Sequence, residues 1–232
     1  MKWLQPQKAV ILSSILALAA GCTWGLGGEE DVPVMHRQFS RTVDIQTGVV
    51  QSDLERAKEA GAWLVAQNEG SPTSAGTAEY RETMLGHASA IAEAQDLMTV
   101  ATRMGGLAAS CGSCHIATGG GPLFVLGSEP PEGNSRGAQM TLHLWAADRM
   151  WEGLVGPSDE AWKAGTEALA DLAPNLGWAL EMSASPDRAG EILGELTRLA
   201  TGAVETEGQG ARGETYGRIL ETCRNCHSLA GG

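Results

Sequence analysis

Apolar residues recur along the chain with helical spacing, and no stretch of useful length alternates as a strand would. Leu54, Ala57, Gly61 and Leu64 fall at i, i+3, i+7 and i+10, one face of a helix, with Ser52 or Asp53 placed to cap it. Met84, Ile91, Ala94, Met98 and Ala101 form a second stripe running toward Cys111. Pro157-Ser158-Asp159-Glu160 opens a further helix carrying Trp162, Leu169 and Leu172. Ile192, Leu196, Leu199, Ala203 and Val204 mark another, and Tyr216, Ile219, Leu220 and Cys223 share one face of the last. The Met and Trp residues on these stripes read as core. The pattern predicts an all-α chain.

The pattern also repeats. Thr118 to Gly137 is dense in Gly and Pro and reads as a linker. It divides a first half, residues 33–117, from a second, 138–232. An offset of 105 residues aligns the starts of the halves without gaps: Met35 with Met140, Gly48 with Gly153, Val50 with Val155 and Lys58 with Lys163. Each half reads as four helices of modest length, so the expected architecture is two tandem four-helix bundles, separable near Gly133.

The first residues change the picture of where such a chain resides. Lys2 and Lys8 flank a short apolar run, Ala9 to Ala20, which sits where a secretory signal sits and is too short to span a bilayer comfortably. It ends Leu18-Ala19-Ala20-Gly21-Cys22, similar to a bacterial lipobox, although Ala19 stands where Leu is usual. The expectation is a lipoprotein signal over residues 1–21, a lipid on Cys22 and a tether over 22–32. The membrane contact is then the lipid anchor alone, in the bacterial cell envelope and facing the periplasm. Thr23, in place of the Asp that marks inner-membrane retention, points to the outer membrane. Cleavage removes two lysines and no acid, leaving 14 basic against 28 acidic residues, a net charge of −14. An acidic surface argues against nucleic acid and suits a redox partner with a basic docking surface.

Five cysteines in an exported chain leave one thiol to explain. With Cys22 lipidated, the other four fall into two like patterns, Cys111-Gly112-Ser113-Cys114-His115 and Cys223-Arg224-Asn225-Cys226-His227. C-x-x-C-H is the attachment pattern for c-type haem. Thiols three apart on a helix share a face and reach the two vinyl groups of one porphyrin edge. The adjoining His then ligates iron from the proximal side. The competing readings are a thioredoxin-type pair without its βαβ context, a zinc site drawing on both pairs, and a disulfide within each pair. None explains a His directly after the second Cys in both copies. The expected cofactors are two covalently bound haem c groups.

A helical chain whose C-x-x-C-H lies on its last helix, near the end, resembles the class II cytochromes c, the cytochrome c-prime group. The stretch from Glu214 to Cys223 carries the likeness best, and the first half is similar by repetition. The resemblance implies an antiparallel four-helix bundle per half with haem between the helices. It implies His115 and His227 as proximal ligands, and a distal side that is either open to small gases or filled by Met from the first helix. Met35 and Met140 are the symmetric pair in that place. His143 is their rival, one turn from Met140 on the same face; a two-residue shift of the alignment would pair it with His36. His87 has no second-half counterpart and reads as a hydrogen-bonded core residue. The resulting expectation is a di-haem electron carrier rather than an enzyme, its two haems forming a short wire or two-electron store. The alternatives are a gas-binding or sensor protein with five-coordinate iron, and a di-haem peroxidase.

Overall fold

The computed structural model describes residues 31–68, 76–122 and 129–229. The signal segment, Cys22 and the tether up to residue 30 lie outside them. The described chain is all-α and packs as a helical bundle. In order come α1 (Asp31–Val50), α2 (Leu54–Asn68), α3 (Ala78–Ala92), α4 (Leu97–Thr118), α5 (Arg136–Val155) and α6 (Asp159–Leu172). A 3-10 turn (Ala173–Asn175) comes next, then α7 (Trp178–Met182), α8 (Pro186–Ala203) and α9 (Gln209–Leu229). Thus α1 begins inside the expected tether, and α4 and α5 each run slightly into the expected linker.

Helix starts follow the caps. The Asp53 carboxylate accepts the Arg56 N–H at 3.0 Å and starts α2, while Ser52 turns the chain at φ 60°. Ser135 and Ser158 cap α5 and α6 in the same way. Asp96 accepts the Thr99 N–H at 2.7 Å and divides the stripe that the sequence joined from Met84 to Ala101. Met84 and Ile91 therefore belong to α3, and Met98 and Ala101 to α4. Ala101 is fully buried, but Met98 turns outward, 55% exposed, because the new helix starts with its own phase.

The 105-residue register holds through the first hairpin of each half. Helices α1 and α5 are both 20 residues long, and α2 and α6 begin at equivalent positions. The Asp53 N–H donates to the Gly48 carbonyl at 2.7 Å, and Ser158 donates to Gly153 at 3.1 Å. Ile45 and Val49 are fully buried, as are their counterparts Met150 and Leu154. Both glycines allow close helix approach: a Cβ on Gly153 would lie 2.4 Å from the Trp162 backbone N, and one on Gly48 would lie 3.0 Å from Ala57.

Neighbours in sequence pack on one another through α1–α4, and α5 on α6, α6 on α8 and α8 on α9. The halves meet where α4 and α9 cross antiparallel, in one of the two broadest helix–helix interfaces. Gly105 faces Gly213 so closely that a Cβ on Gly105 would sit 2.0 Å from the Gly213 carbonyl oxygen, and Gly217 lies against Ala101. Flanking this crossing, α4 touches α5 and α9 touches α1, the two contacts that a twofold relation between the halves would exchange. One apolar core runs from Ile45 and Leu64 through Leu107 to Leu154, Leu199 and Tyr216. The linker therefore does not separate two independent cores.

Candidate haem sites

Cys111 and Cys223 each stand at the fifteenth residue of their helix, α4 and α9. From the Gly105–Gly213 crossing the two motifs run in opposite directions, Cys111 six residues on and Cys223 ten. At the α-helical rise this places them about 24 Å apart along the pair. Four thiolates so divided cannot converge on one zinc ion. Among the described residues no three His, Cys, Asp or Glu side chains group to hold a metal ion, and the four motif cysteines are free thiols. Burial pushes the Cys111 and Cys223 thiols up to about 12 and raises Cys114 and Cys226 as well, so all four are protonated at neutral pH.

The first motif lies level with the N-terminal turns of α1 and α3. Gln38 on α1 donates to the Asn68 side chain at 3.1 Å, and the Arg81 guanidinium donates to the Asn68 backbone carbonyl. Tyr80, in the first turn of α3, lies toward Cys114. On the same end of α1, Met35, Phe39 and Val43 repeat every fourth residue and remain 49%, 37% and 39% exposed. Such an apolar stripe suits a large flat apolar group better than it suits water.

His115 is held by the other half of the molecule. Its Nδ1 lies 2.7 Å from the carbonyl oxygen of Val155, at the C-terminus of α5. A carbonyl only accepts, so Nδ1 carries the proton and Nε2 keeps its lone pair, the tautomer a metal ligand needs. Helix ends leave such carbonyls without intrahelical partners, which is why Val155 is available. Gly121, at φ 121°, backs the ring: a Cβ there would lie 2.8 Å from the His115 Cγ.

The second motif has a histidine over it. His143, on α5, places its ring centre 6.4 Å from that of His227, and its Nε2 lies 3.9 Å from the Cys223 Sγ. Burial, aided by the nearby His227, pushes the His143 pKa down to about 4, so the ring is neutral with a lone pair to offer. Burial lowers that of His227 too. Met140 is half-buried one turn earlier. Because the register is fixed by the hairpins, the first-half counterpart of His143 is Gln38; His36, exposed, is not its twin. The two-residue shift that would pair the histidines is thereby excluded, and the Met35/Met140 equivalence stands.

His87 differs from the expectation of a hydrogen-bonded core histidine. It packs on Gly106, whose Cβ would meet the ring at 2.3 Å, and its buried Nδ1 has no hydrogen-bond partner. Burial lowers its pKa, which keeps the unpartnered ring neutral.

Three features escaped the sequence reading. The Val155 carbonyl is a main-chain atom with no residue-type signal. The crossing of α4 and α9 did leave one, small residues spaced by four at Ala101, Gly105 and Ala109 and at Gly213 and Gly217. The third is an aromatic train at the junction: Phe39 to Trp151 at 6.2 Å between ring centres, and Trp151 to Tyr216 at 5.6 Å. The Tyr216 hydroxyl accepts from Gln46 on α1 at 2.6 Å.

The donor set at each motif is two thiols three residues apart on a helix and an imidazole next to the second, and these fit a covalently held haem. No family model, curated protein or solved structure matches the chain, so the reading rests on its own residues.

Proposed function

We propose that the chain is a di-haem c-type cytochrome that transfers electrons in the bacterial cell envelope. It is built as two four-helix bundles, α1–α4 and α5, α6, α8 and α9, fused through α4 and α9, and it is tethered by a lipid on Cys22. When bound, each haem supplies an iron that changes oxidation state by one electron. Cys111 and Cys114 would hold the first haem and Cys223 and Cys226 the second, each through a thioether to one vinyl group, the thiol hydrogen going to the other vinyl carbon. His115 and His227 would ligate the two irons, and the Val155 carbonyl, 2.7 Å from the His115 Nδ1, fixes the orientation of that ring. The acidic surface suits a partner that docks through basic residues.

The observation that carries this reading is the pair of C-x-x-C-H motifs at the same helical position of two helices that cross antiparallel. The test is a haem count on full-length protein made in a host that matures c-type cytochromes. Two haems per chain should resist acid–acetone extraction, and Cys111→Ala with Cys114→Ala, or Cys223→Ala with Cys226→Ala, should each remove one. A count of zero, or bound zinc in place of iron, overturns the proposal. Mass spectrometry should find the mature chain starting at a lipid-modified Cys22; an unmodified start elsewhere overturns the anchoring.

A second reading, gas binding, has support at the first site only. There the place corresponding to His143 holds Gln38, which is already committed to Asn68.

A further inference from the structure

We infer that His143 is the sixth ligand of the second haem iron and that the first haem has no equivalent, so the two haems differ in coordination and potential. The inference rests on the di-haem reading above and deepens it.

Two imidazoles bound to opposite sides of one metal, with bonds of about 2 Å, have ring centres about 6 Å apart. The His143 and His227 rings stand 6.4 Å apart, so the spacing between them is that of two axial ligands. His143 also lies beside the motif: its Nε2 is 3.9 Å from the Cys223 Sγ, the atom that would be bonded to the porphyrin.

Attachment changes what His143 can do. Among the described residues its hydrogen-bonding contact is the Cys223 thiol. Once that sulfur is a thioether it has no hydrogen to donate. A buried imidazole nitrogen left without a partner is costly, and an iron atom in reach satisfies it. Met140 offers a softer ligand, but it lies a turn back, and the ring that faces His227 belongs to His143.

The first half cannot copy this arrangement. Its counterpart residue, Gln38, is an amide whose NH2 is bonded to Asn68, and the Asn68 side chain in turn donates to the Leu64 carbonyl at 2.7 Å. An amide is a poor ligand for haem iron. What the first half offers in the region is Met35, on an exposed turn. Bis-imidazole ligation lowers a haem potential relative to imidazole–thioether ligation. The second haem is therefore the low-potential member of the pair.

The test uses the full-length di-haem protein, with haem content measured alongside electron paramagnetic resonance, carbon monoxide uptake and redox titration. Wild-type ferric protein should show a bis-imidazole low-spin signal for half of its iron. His143→Ala should lose that signal and take up one more carbon monoxide per chain when reduced, and added imidazole should restore the signal. Met140→Ala should change neither. His143→Met, which keeps a ligand in place if the alanine variant folds poorly, should raise the lower of the two potentials. With two haems present, a signal that survives His143→Ala, or that Met140→Ala removes, overturns the ligand assignment and leaves the di-haem reading standing. A haem count of zero overturns both.

Discussion

Helices α1 and α5 share their bounds, and α2 and α6 their first residue, at the 105-residue offset, whereas the segments between these hairpins and the C-x-x-C-H motifs do not match. The second half inserts a 3-10 turn and α7 and lengthens the next helix to 18 residues, against 15 in α3. Both halves then return to a common position for the cysteines. The hairpin geometry and the placing of the motif are therefore held constant, and the packing in between varies. The side chains inside the constant hairpin diverge at most positions, and two of these differences bear on the sites. Gln38 corresponds to His143, and Ala57 corresponds to Trp162. One duplicated frame thus carries two different sites, and the frame is set by caps and close helix contacts rather than by the residues that would touch iron.

Trp162 gives the largest lever on this difference. It is 1% exposed, and its Nε1 donates to the Ala203 carbonyl at 2.9 Å, tying α6 to the C-terminal end of α8. Trp162→Ala should cost about 3–5 kcal/mol by opening a large cavity and orphaning that carbonyl. At the equivalent position Ala57→Gly should cost about 1 kcal/mol, the helix-propensity difference. Urea unfolding followed by circular dichroism separates the two. Equal losses would mean that Trp162 does not anchor the second half.

The junction between the halves comes next. Gly105→Ala places a Cβ against the Gly213 backbone, which cannot swing aside as a side chain would, and should cost about 1–3 kcal/mol. Gly194→Ala on α8, where a Cβ meets nothing within 4 Å, should instead be neutral or stabilising by up to about 1 kcal/mol. The same pair tests the shared core. Wild-type protein nicked at the exposed Gly133 should elute as one species in size-exclusion chromatography, and nicked Gly105→Ala should begin to separate. Wild-type halves that part after nicking would show that the linker, not the crossing, joins them.

How much of this was legible depends on the kind of signal each feature leaves. The two motifs, the helical class, a cap at Ser52 or Asp53 and a helix start at Pro157-Ser158-Asp159-Glu160 are residue-type signals at fixed spacing, and the structure takes Asp53 for the first cap and starts α6 at Asp159. The break at Asp96 was hidden because Met98 and Ala101 happened to continue the phase of α3. The ligand question turned on register, which Gly48 and Gly153 decide physically: only one alignment lets both glycines meet the following helix. The approach of His143 to His227 joins residues 84 apart on α5 and α9, and no local pattern marks that contact. Distance along the pair also tempers the expectation of a short wire. Electron tunnelling falls exponentially with separation, and cysteine pairs about 24 Å apart along crossed helices would set two attached haems toward opposite ends of the α4–α9 pair.

The smallest effects probe the part of the repeat that is most alike. Asp53→Ala removes the acceptor of the Arg56 N–H at 3.0 Å, and Ser158→Ala removes that of the Ala161 N–H at 3.1 Å. Each leaves one N-terminal N–H of a helix to water, at a cost of about 1 kcal/mol. Asp53 adds a negative charge beside the positive end of α2, so its loss should exceed that of Ser158 by a few tenths of a kcal/mol, and Asp53→Asn should recover all but that difference. The two caps lie in different halves and share no partner, so the double variant should lose the sum within about 0.5 kcal/mol. Thermal unfolding of the four proteins measures this. A double variant that loses clearly more than the sum would mean that the turns at Gly48 and Gly153 support one another across the α4–α9 crossing. The two halves would then be equivalent not only in register but in a single cooperative unit, since each turn would be held partly by the other.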